Sequence, residues 1–319
     1  MKGKRIPRYA IYLMILVIIF FISLILTSMD SREFDKSDIN VYFCRLDDCG
    51  SIINELLIYS NSSIHCAFYS ISDADILETL NEKNKKLDVK VVVDKSENTV
   101  FQFMKPIESK GIMHNKFCII DNDEVITGSY NPTENHDENN IIIIKSQELA
   151  ENYEEEFEEL WNAEEGKKTK TPIIKMGNIT LESYFCPEDS CAEKINEKLI
   201  AANSSIYFMA YSFTHPELAT TLVLKSKENI IVKGVMEKSQ NSEYSKYDLF
   251  RYQGIDVIWD SKPWLMHHKV FIIDNETVIT GSFNPTKNAD ENNDENILII
   301  HDKEIAGLFL KEFERIRKK

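Results

Sequence analysis

The chain contains one stretch twice, HNKFCIIDNDEVITGSYN from His114 to Asn131 and HHKVFIIDNETVITGSFN from His267 to Asn284. Both stretches follow the pattern His-x-Lys-x4-Asp-x6-Gly-Ser-x-Asn, and they are offset by 267 − 114 = 153 positions. In each, the branched and aromatic residues after the lysine are typical of a buried strand. A pattern of this length at a fixed offset indicates a tandem repeat with one motif in each copy.

The repeat extends on both sides of the motif. Upstream, Cys44-x4-Cys49 recurs as Cys186-x4-Cys191, at an offset of 186 − 44 = 142. The larger offset at the motif indicates about eleven extra residues (153 − 142) in a loop of the second copy. Downstream, aligning Glu138-Asn139 with Glu295-Asn296 gives an offset of 157. This offset predicts four more inserted residues (157 − 153) in the second copy.

Helix-like and strand-like stretches alternate within each copy, which predicts an α/β fold of sheets covered by helices. Each copy ends in an acidic amphipathic stretch, at 148–161 and 303–317, typical of a helix packed on a sheet. The predicted organisation is a basic tail at 1–9, an apolar anchor at 10–29, a first repeat at 38–162, a linker at 163–178 and a second repeat at 179–319.

The segment 10–29 carries no charge and is long enough to cross a bilayer as a helix. Lysine and arginine precede it and acidic residues follow it, so the positive-inside rule predicts a single-pass protein with a cytoplasmic N-terminus. We therefore expect the body to be extracytoplasmic and held at the membrane by this segment. A cleaved signal peptide is the alternative, although the segment lacks a clear small-x-small site.

The formal net charge of the chain is -15, and four basic residues lie before the apolar segment, so the remainder carries -15 - 4 = -19. An acidic surface of this kind repels polyanions. The charge therefore weighs against tight, sequence-independent binding of nucleic acid over a broad surface.

The paired motifs resemble the signature of the phospholipase D superfamily. That resemblance implies two α/β/α repeats packed about a pseudo-twofold axis, with one active site formed by both motifs. It also implies phosphodiester cleavage through a covalent phosphohistidine, with neither a metal ion nor another cofactor. A single chain carries both motifs, so no obligate protein partner is expected.

The resemblance assigns the chemistry to His114, Lys116, His267 and Lys269. On a strand, residues two apart project from the same face, so each His and Lys should enter a common pocket. Following the usual order of the family, we expect His114 to be the nucleophile and His267 the acid, although the pseudo-symmetry of the sequence allows the reverse. His268 occupies the variable motif position and should point away from the site.

Further roles follow from the same resemblance. The predicted phosphate-binding residues are Asn131, Asn284, Ser129 and Ser282. The carboxylates expected to orient the histidines are Glu138 and Glu295, with Glu138 in the poorer match to the family's Asn-x-Glu-Asn segment. The motif residues expected to be structural are Asp121, Asp274, Gly128 and Gly281.

The six cysteines divide into two groups. Cys44, Cys49, Cys186 and Cys191 form repeated pairs, which in an exported protein favour disulfides, although four thiolates in two pairs also suit zinc. The remaining two cysteines, at 66 and 118, align with phenylalanines of the other copy and are expected to be core residues.

Several functions are compatible with these motifs. The apolar segment near a lipid surface favours phospholipase D-type hydrolysis of phospholipids. A metal-independent extracytoplasmic endonuclease acting on DNA or RNA is the first alternative, and a phosphatidyltransferase of the cardiolipin-synthase kind is the second. An inactive scaffold is disfavoured because both copies keep every motif residue.

Overall fold

The computed structural model of the protein describes residues 38–98, 101–260 and 262–318. Residues 38–319 form one compact unit. The predicted basic tail and anchor, residues 1–29, lie outside the described residues. Within the described part of the chain, no helix combines the length and apolarity needed to cross a membrane.

Among the residues that the structure describes, the first repeat contains seven strands and three helices. In chain order they are β1 Ile39–Phe43, α1 Cys49–Tyr59, β2 Ser63–Phe68, α2 Ala74–Lys83, β3 Asp88–Asp94, β4 Met104–Ile107, β5 Lys116–Ile120, β6 Glu124–Gly128, β7 Asn140–Lys145 and α3 Gln147–Asn162.

The second repeat contains the same series with additions. Its elements are β8 Ile173–Met176, β9 Ile179–Cys186, α4 Cys191–Ala201, β10 Ser205–Ala210, α5 Pro216–Lys227, β11 Ile231–Glu237, α6 Tyr247–Tyr252, β12 Asp256–Asp260, β13 Lys269–Ile273, β14 Thr277–Gly281, α7 Lys287–Glu291, β15 Glu295–His301 and α8 Lys303–Arg317.

Each repeat forms one mixed sheet, which agrees with the predicted α/β class. The strand orders are β1-β7-β6-β5-β2-β3-β4 and β12-β11-β10-β13-β14-β15-β9-β8. The motif strand lies at the centre of each sheet, where β5 pairs with β2 and β13 pairs with β10. A central strand is held on both edges, so it provides a rigid base for the residues at its ends.

The linker prediction is partly wrong, because residues 173–176 within it are strand β8. This strand pairs with β9 in antiparallel register and extends the edge of the second sheet. Alternate side chains explain the strand, since Ile174 and Met176 are buried whereas Ile173 and Lys175 are exposed.

Helices α3 and α8 pack on equivalent strands of the two sheets, and both begin at a residue whose side chain caps the helix. Ser146 Oγ accepts the N–H of Leu149, and an Asp302 carboxylate oxygen accepts the N–H of Ile305. Each helix also contacts a strand of the opposite repeat, with α3 against β9 and α8 against β1. The two helices therefore connect the repeats as well as covering their own sheets.

Reciprocal hydrogen bonds join the repeats next to the motif strands. Asn140 Nδ2 donates to Thr280 Oγ1 at 3.0 Å, and Asn296 Nδ2 donates to Thr127 Oγ1 at 2.8 Å. Such an exchange, in which the same pair of positions meets twice, is what a two-fold relation between repeats produces. All four side chains are buried.

These contacts correct the predicted offset after the motif. The N–H of Ser129 donates to the Asn140 carbonyl, and the N–H of Ser282 donates to the Asn296 carbonyl, each at 3.0 Å. Asn140 and Asn296 are therefore equivalent, at an offset of 296 − 140 = 156 rather than 157. The Glu-Asn pairing made from the sequence was shifted by one residue.

Candidate active site

The motif lysines begin the central strands β5 and β13, and the motif histidines lie two residues before them. Lys116 Nζ donates to the His114 carbonyl oxygen at 2.7 Å, and Lys269 Nζ donates to that of His267 at 2.7 Å. Both lysine side chains are almost fully buried. Each motif therefore fixes its own ammonium group beside its own histidine.

His114 is oriented by a carboxylate from the other repeat. Its Nδ1 lies 2.7 Å from Oε2 of Glu295, the first residue of β15. Glu295 is fully buried, and its Oε1 accepts a hydrogen bond from Asn293 Nδ2 at 3.0 Å. A carboxylate on Nδ1 fixes the tautomer with its lone pair on Nε2, which leaves that nitrogen able to attack.

His267 has a different partner, because its Nδ1 lies 2.9 Å from Oδ1 of Asn139. With Asn140 equivalent to Asn296, Asn139 is the counterpart of Glu295. The prediction that Glu138 orients a histidine is therefore wrong. His267 therefore faces a neutral amide at the position where His114 faces a carboxylate.

Glu138 is fully buried but faces a separate set of groups. Its Oε1 accepts a hydrogen bond from Trp264 Nε1 at 2.8 Å, and its Oε2 forms an ion pair with Arg315. The Glu138 carbonyl oxygen accepts the N–H of His267 at 2.9 Å. The Glu138 carbonyl thus holds the backbone that precedes β13, whereas the Glu138 carboxylate is paired with Arg315.

The two motif serines hydrogen-bond to the residues that orient the histidines. Ser282 Oγ donates to Glu295 Oε2 at 2.6 Å, and Ser129 Oγ donates to Asn139 Oδ1 at 2.9 Å. Neither serine exposes any surface. Their predicted role in binding phosphate is therefore wrong, since buried hydroxyls committed to these acceptors stabilise the histidine partners instead.

Burial lowers the pKa values of the lysines and histidines in the site. Burial lowers the pKa of Lys116 to about 7 against the opposing charge of Glu295, and burial also lowers the pKa of Lys269 well below its ordinary value. Burial lowers the pKa of His114 to about 4, with Glu295 opposing the effect. The pKa of His267 is also lowered well below its ordinary value, by burial and by the charges of Lys269 and Lys116. A bound anion would stabilise these groups in their charged forms.

Two tyrosines complete the surroundings of the histidines and were not among the predicted site residues. The ring of Tyr69 lies 5.3 Å from that of His114, and the ring of Tyr211 lies 4.7 Å from that of His267. Lys269 Nζ lies 4.9 Å from the Tyr211 ring centroid, within cation–π range. Their recurrence at the upstream offset of 142 was the signal that could have identified them.

Asn131 and Asn284 end the two motifs and are half-buried. The side-chain oxygen of each is buried without a hydrogen-bond partner among the described residues. Their role in binding phosphate stays a prediction.

The motif aspartates stabilise turns away from the histidines. The Asp121 carboxylate accepts the N–H groups of 61, 62 and 63, and the Asp274 carboxylate accepts those of 203, 204 and 205. Gly128 and Gly281 lie where an added Cβ would be 2.2 Å from the carbonyl oxygen of Asn140 or Asn296. Their close approach to the neighbouring strand therefore requires glycine.

His268 points away from the catalytic groups, as predicted. Its Nδ1 lies 3.0 Å from Asn140 Oδ1 and its Nε2 lies 3.4 Å from Glu312 Oε1. His268, Glu312 and Glu138 could geometrically ligate a metal ion, but the Arg315 guanidinium already pairs with both carboxylates. A second geometric candidate consists of His65 on β2 with Glu154 and Glu158 on α3.

All six cysteines form disulfides. Cys44–Cys49 and Cys186–Cys191 confirm the predicted local pairs and leave no thiolate for zinc. The third disulfide, Cys66–Cys118, joins residues that face each other on β2 and β5, so the expectation of two unlinked core cysteines is wrong. The aligned Phe208 and Phe271 face each other in the second sheet in the same way.

Comparison with known proteins gives a match to the family described as "Cardiolipin synthase, PLD-like domain" over residues 53–161 and 195–317. The two matched ranges coincide with the two repeats and cover most of the chain. The chain belongs to the phospholipase D superfamily. With a His-x-Lys motif intact in each repeat, it is a phosphodiesterase of that superfamily.

Curated relatives within the superfamily match about one repeat's length of this chain. A phospholipase D of Rickettsia felis is 34% identical over 152 residues, which cover 46% of this chain and 76% of the relative. The human mitochondrial cardiolipin hydrolase is 37% identical over 129 residues, 40% of this chain and 51% of the relative.

The fold of both repeats together resembles that of a solved structure. Phosphatidylserine synthase of Haemophilus influenzae aligns with a TM-score of 0.70 at 14% identity, over 89% of this chain and 87% of that one. At that identity the likeness concerns the fold alone.

Proposed function

We propose that the protein is a phospholipase D-type hydrolase, which cleaves the head-group phosphodiester of a phospholipid through a covalent phosphohistidine. The observation that carries the proposal is the 2.7 Å contact between His114 Nδ1 of the first repeat and Glu295 Oε2 of the second. It leaves the Nε2 lone pair of His114 available for attack, and the lysines of both motifs lie near enough to influence that ring.

In the first step, His114 Nε2 attacks phosphorus and forms a P–N bond as the bond to the head-group oxygen breaks. The leaving oxygen keeps the electron pair and takes a proton from Nε2 of His267. The Glu295 carboxylate stabilises the positive charge that develops on the His114 ring. Lys116 and Lys269 stabilise the charge on the non-bridging phosphoryl oxygens.

In the second step, water attacks the phosphorus of the phosphohistidine. His267 Nε2, now neutral, accepts a proton from that water, and the P–N bond breaks with its electron pair returning to His114. The products are a phosphatidic acid and the free head-group alcohol. A lipid alcohol in place of water would give phosphatidyl transfer by the same steps.

A lipid substrate is supported by three features. The curated relatives include proteins named phospholipase D and cardiolipin hydrolase. The chain is strongly acidic, which disfavours long polyanions. The apolar segment at 10–29 would hold the site near a bilayer.

We further propose that residues 38–319 lie outside the cytoplasm. All six cysteines are paired, and disulfides of this kind persist in oxidising compartments and are rare in reducing ones. The basic residues before the apolar segment favour the same orientation.

The test uses the full-length chain in detergent, with EDTA present, and three substrates in parallel: mixed phospholipid vesicles, single-stranded DNA and RNA. We expect release of head group and phosphatidic acid from the vesicles. The His114→Asn variant should lose this activity, whereas His136→Asn should keep it because the His136 side chain is exposed.

Other outcomes separate the alternatives. Cleavage of nucleic acid without lipid turnover would identify a nuclease, and a new phosphatidyl ester formed with a lipid alcohol would identify a transferase. Loss of lipid hydrolysis in EDTA would contradict the phosphohistidine mechanism. Retention of activity in His114→Asn would exclude His114 as the nucleophile.

A further inference from the structure

The two catalytic histidines have chemically different supports. The Nδ1 of His114 faces the Glu295 carboxylate, whereas that of His267 faces the Asn139 amide oxygen. The two supports occupy equivalent positions, each one residue before an asparagine that bonds the opposite repeat. The pseudo-symmetry of the histidine supports is therefore broken at this position.

The structure fixes Asn139 in this contact. Its Oδ1 accepts a hydrogen bond from Ser129 Oγ at 2.9 Å as well as from His267 Nδ1, and the residue is buried. The preceding Glu138 cannot replace it, because Trp264 and Arg315 hold the Glu138 carboxylate. The ring of His267 is thus oriented by an acceptor with no formal charge.

A neutral acceptor and a carboxylate favour opposite roles. The nucleophile gains positive charge when the P–N bond forms, so a carboxylate on its far nitrogen lowers the energy of that step. The acid begins as imidazolium and loses charge when it protonates the leaving oxygen. A carboxylate would stabilise the starting imidazolium and weaken it as an acid, whereas an amide orients the ring without this penalty.

We infer that Asn139 is a positioning residue that assigns His267 the role of general acid, as Glu295 assigns His114 the role of nucleophile. This inference rests on the proposed phosphohistidine mechanism. It resolves the choice between the two histidines that the sequence left open.

The test compares two diesters that differ in their need for an acid. One is phosphatidylcholine, whose choline oxygen must be protonated as it leaves. The other is a 4-nitrophenyl phosphodiester, whose leaving group, 4-nitrophenolate, departs without being protonated. Asn139→Ala should lower kcat/KM for phosphatidylcholine about 10- to 100-fold, as expected for a misaligned acid, and change kcat/KM for the 4-nitrophenyl diester less than about threefold. This parameter excludes hydrolysis of the phosphohistidine, in which His267 acts on both substrates.

The variant Asn139→Asp provides a nearly isosteric control for folding. Its carboxylate should raise the pKa of His267, so the alkaline limb of kcat/KM for phosphatidylcholine should move up by about one pH unit or more. A merely structural role for Asn139 would not move this limb. Glu295→Gln should differ from both variants by slowing the two diesters alike, because every substrate needs the nucleophile.

Several results would overturn the inference. One is an equal loss on both diesters in Asn139→Ala, and another is an unmoved alkaline limb in Asn139→Asp. Selective loss of phosphatidylcholine turnover in Glu295→Gln would indicate reversed roles. A wild-type chain that cleaves neither diester would overturn both the proposed function and this inference. If the wild type cleaves both diesters and a variant gives one of the contrary results, the inference alone fails.

Discussion

Glu295 of the second repeat accepts a hydrogen bond from the ring of His114 in the first, so neither repeat contains a complete catalytic unit. The fully buried carboxylate also receives hydrogen bonds from Ser282 and Asn293. Three donors on one buried carboxylate fix its position closely. The pairing explains why the duplication must be kept within one chain or restored by a second copy.

The first prediction concerns this pair. Glu295→Gln should lower kcat by about 10²- to 10⁴-fold, because the amide can orient the ring but cannot stabilise its developing charge. The variant should accumulate less phosphoenzyme in a rapid-quench measurement. Its near-isosteric side chain should leave the melting temperature close to that of the wild type, and a large drop in melting temperature would indicate a folding defect instead.

The second prediction concerns pH. His114 must be neutral to attack, and burial lowers its pKa to about 4; Lys116 must be charged to bind phosphate, and burial lowers its pKa to about 7. For a 4-nitrophenyl diester, kcat/KM should therefore rise through pH 4 and fall through pH 7, since this parameter reports the free enzyme.

A matched variant tests the origin of both limbs. The Glu295 charge raises the pKa of His114 and that of Lys116, so Glu295→Gln should shift both limbs to lower pH. A profile that is flat between about pH 5 and 9 would contradict the assignment of Lys116 to phosphate binding.

The sequence predicted most of the fold because its signals are local. The strand-like runs after Lys116 and Lys269 became β5 and β13, and the acidic amphipathic stretches became α3 and α8. Each of these depends on residue types a few positions apart. Strand β8 was missed because a four-residue edge strand between glycine- and lysine-containing segments has too few residues to show a period.

The histidine supports could not be predicted in full, because they depend on backbone register across the two repeats. Glu138 stands next to Asn139, and the letters Asp-Glu-Asn match in both copies. The hydrogen bond from Ser129 to the Asn140 carbonyl and the contact between His267 Nδ1 and Asn139 Oδ1 show which residue faces His267. The serine hydroxyls were likewise misassigned because sequence does not show whether a side chain faces the cleft or the interior.

The third prediction concerns the motif aspartates. Asp274→Ala should destabilise the protein by about 1–3 kcal/mol, because three backbone N–H groups at the start of β10 lose their acceptor. Asp121→Ala should have a similar effect at β2. Thermal unfolding measures both, and Asp274→Asn, which keeps one acceptor oxygen, should fall between the alanine variant and the wild type.

The stability that Asp274 contributes to the folded protein should also depend on pH. Although burial opposes it, hydrogen bonding from Ser205 and its neighbours lowers the folded-state pKa of Asp274 below the ordinary value of 3.8. The stabilisation is therefore complete above the unfolded pKa and is lost as pH falls through the folded pKa. The difference between wild type and Asp274→Ala should shrink in this acidic range, and a difference independent of pH would contradict the charged hydrogen-bonding role.

The fourth prediction ranks the disulfides. Cys66–Cys118 closes a loop with a sequence separation of 52, whereas Cys44–Cys49 closes one of 5. Chain-entropy arguments assign the longer loop about 4 kcal/mol and the shorter about 2 kcal/mol. The double variant Cys66→Ala/Cys118→Ala should therefore lose more stability in urea than Cys44→Ala/Cys49→Ala, and the buried position of the first pair adds to its loss. Equal losses would show that the β2–β5 pairing already restricts the unfolded chain, so that the longer crosslink removes little further entropy.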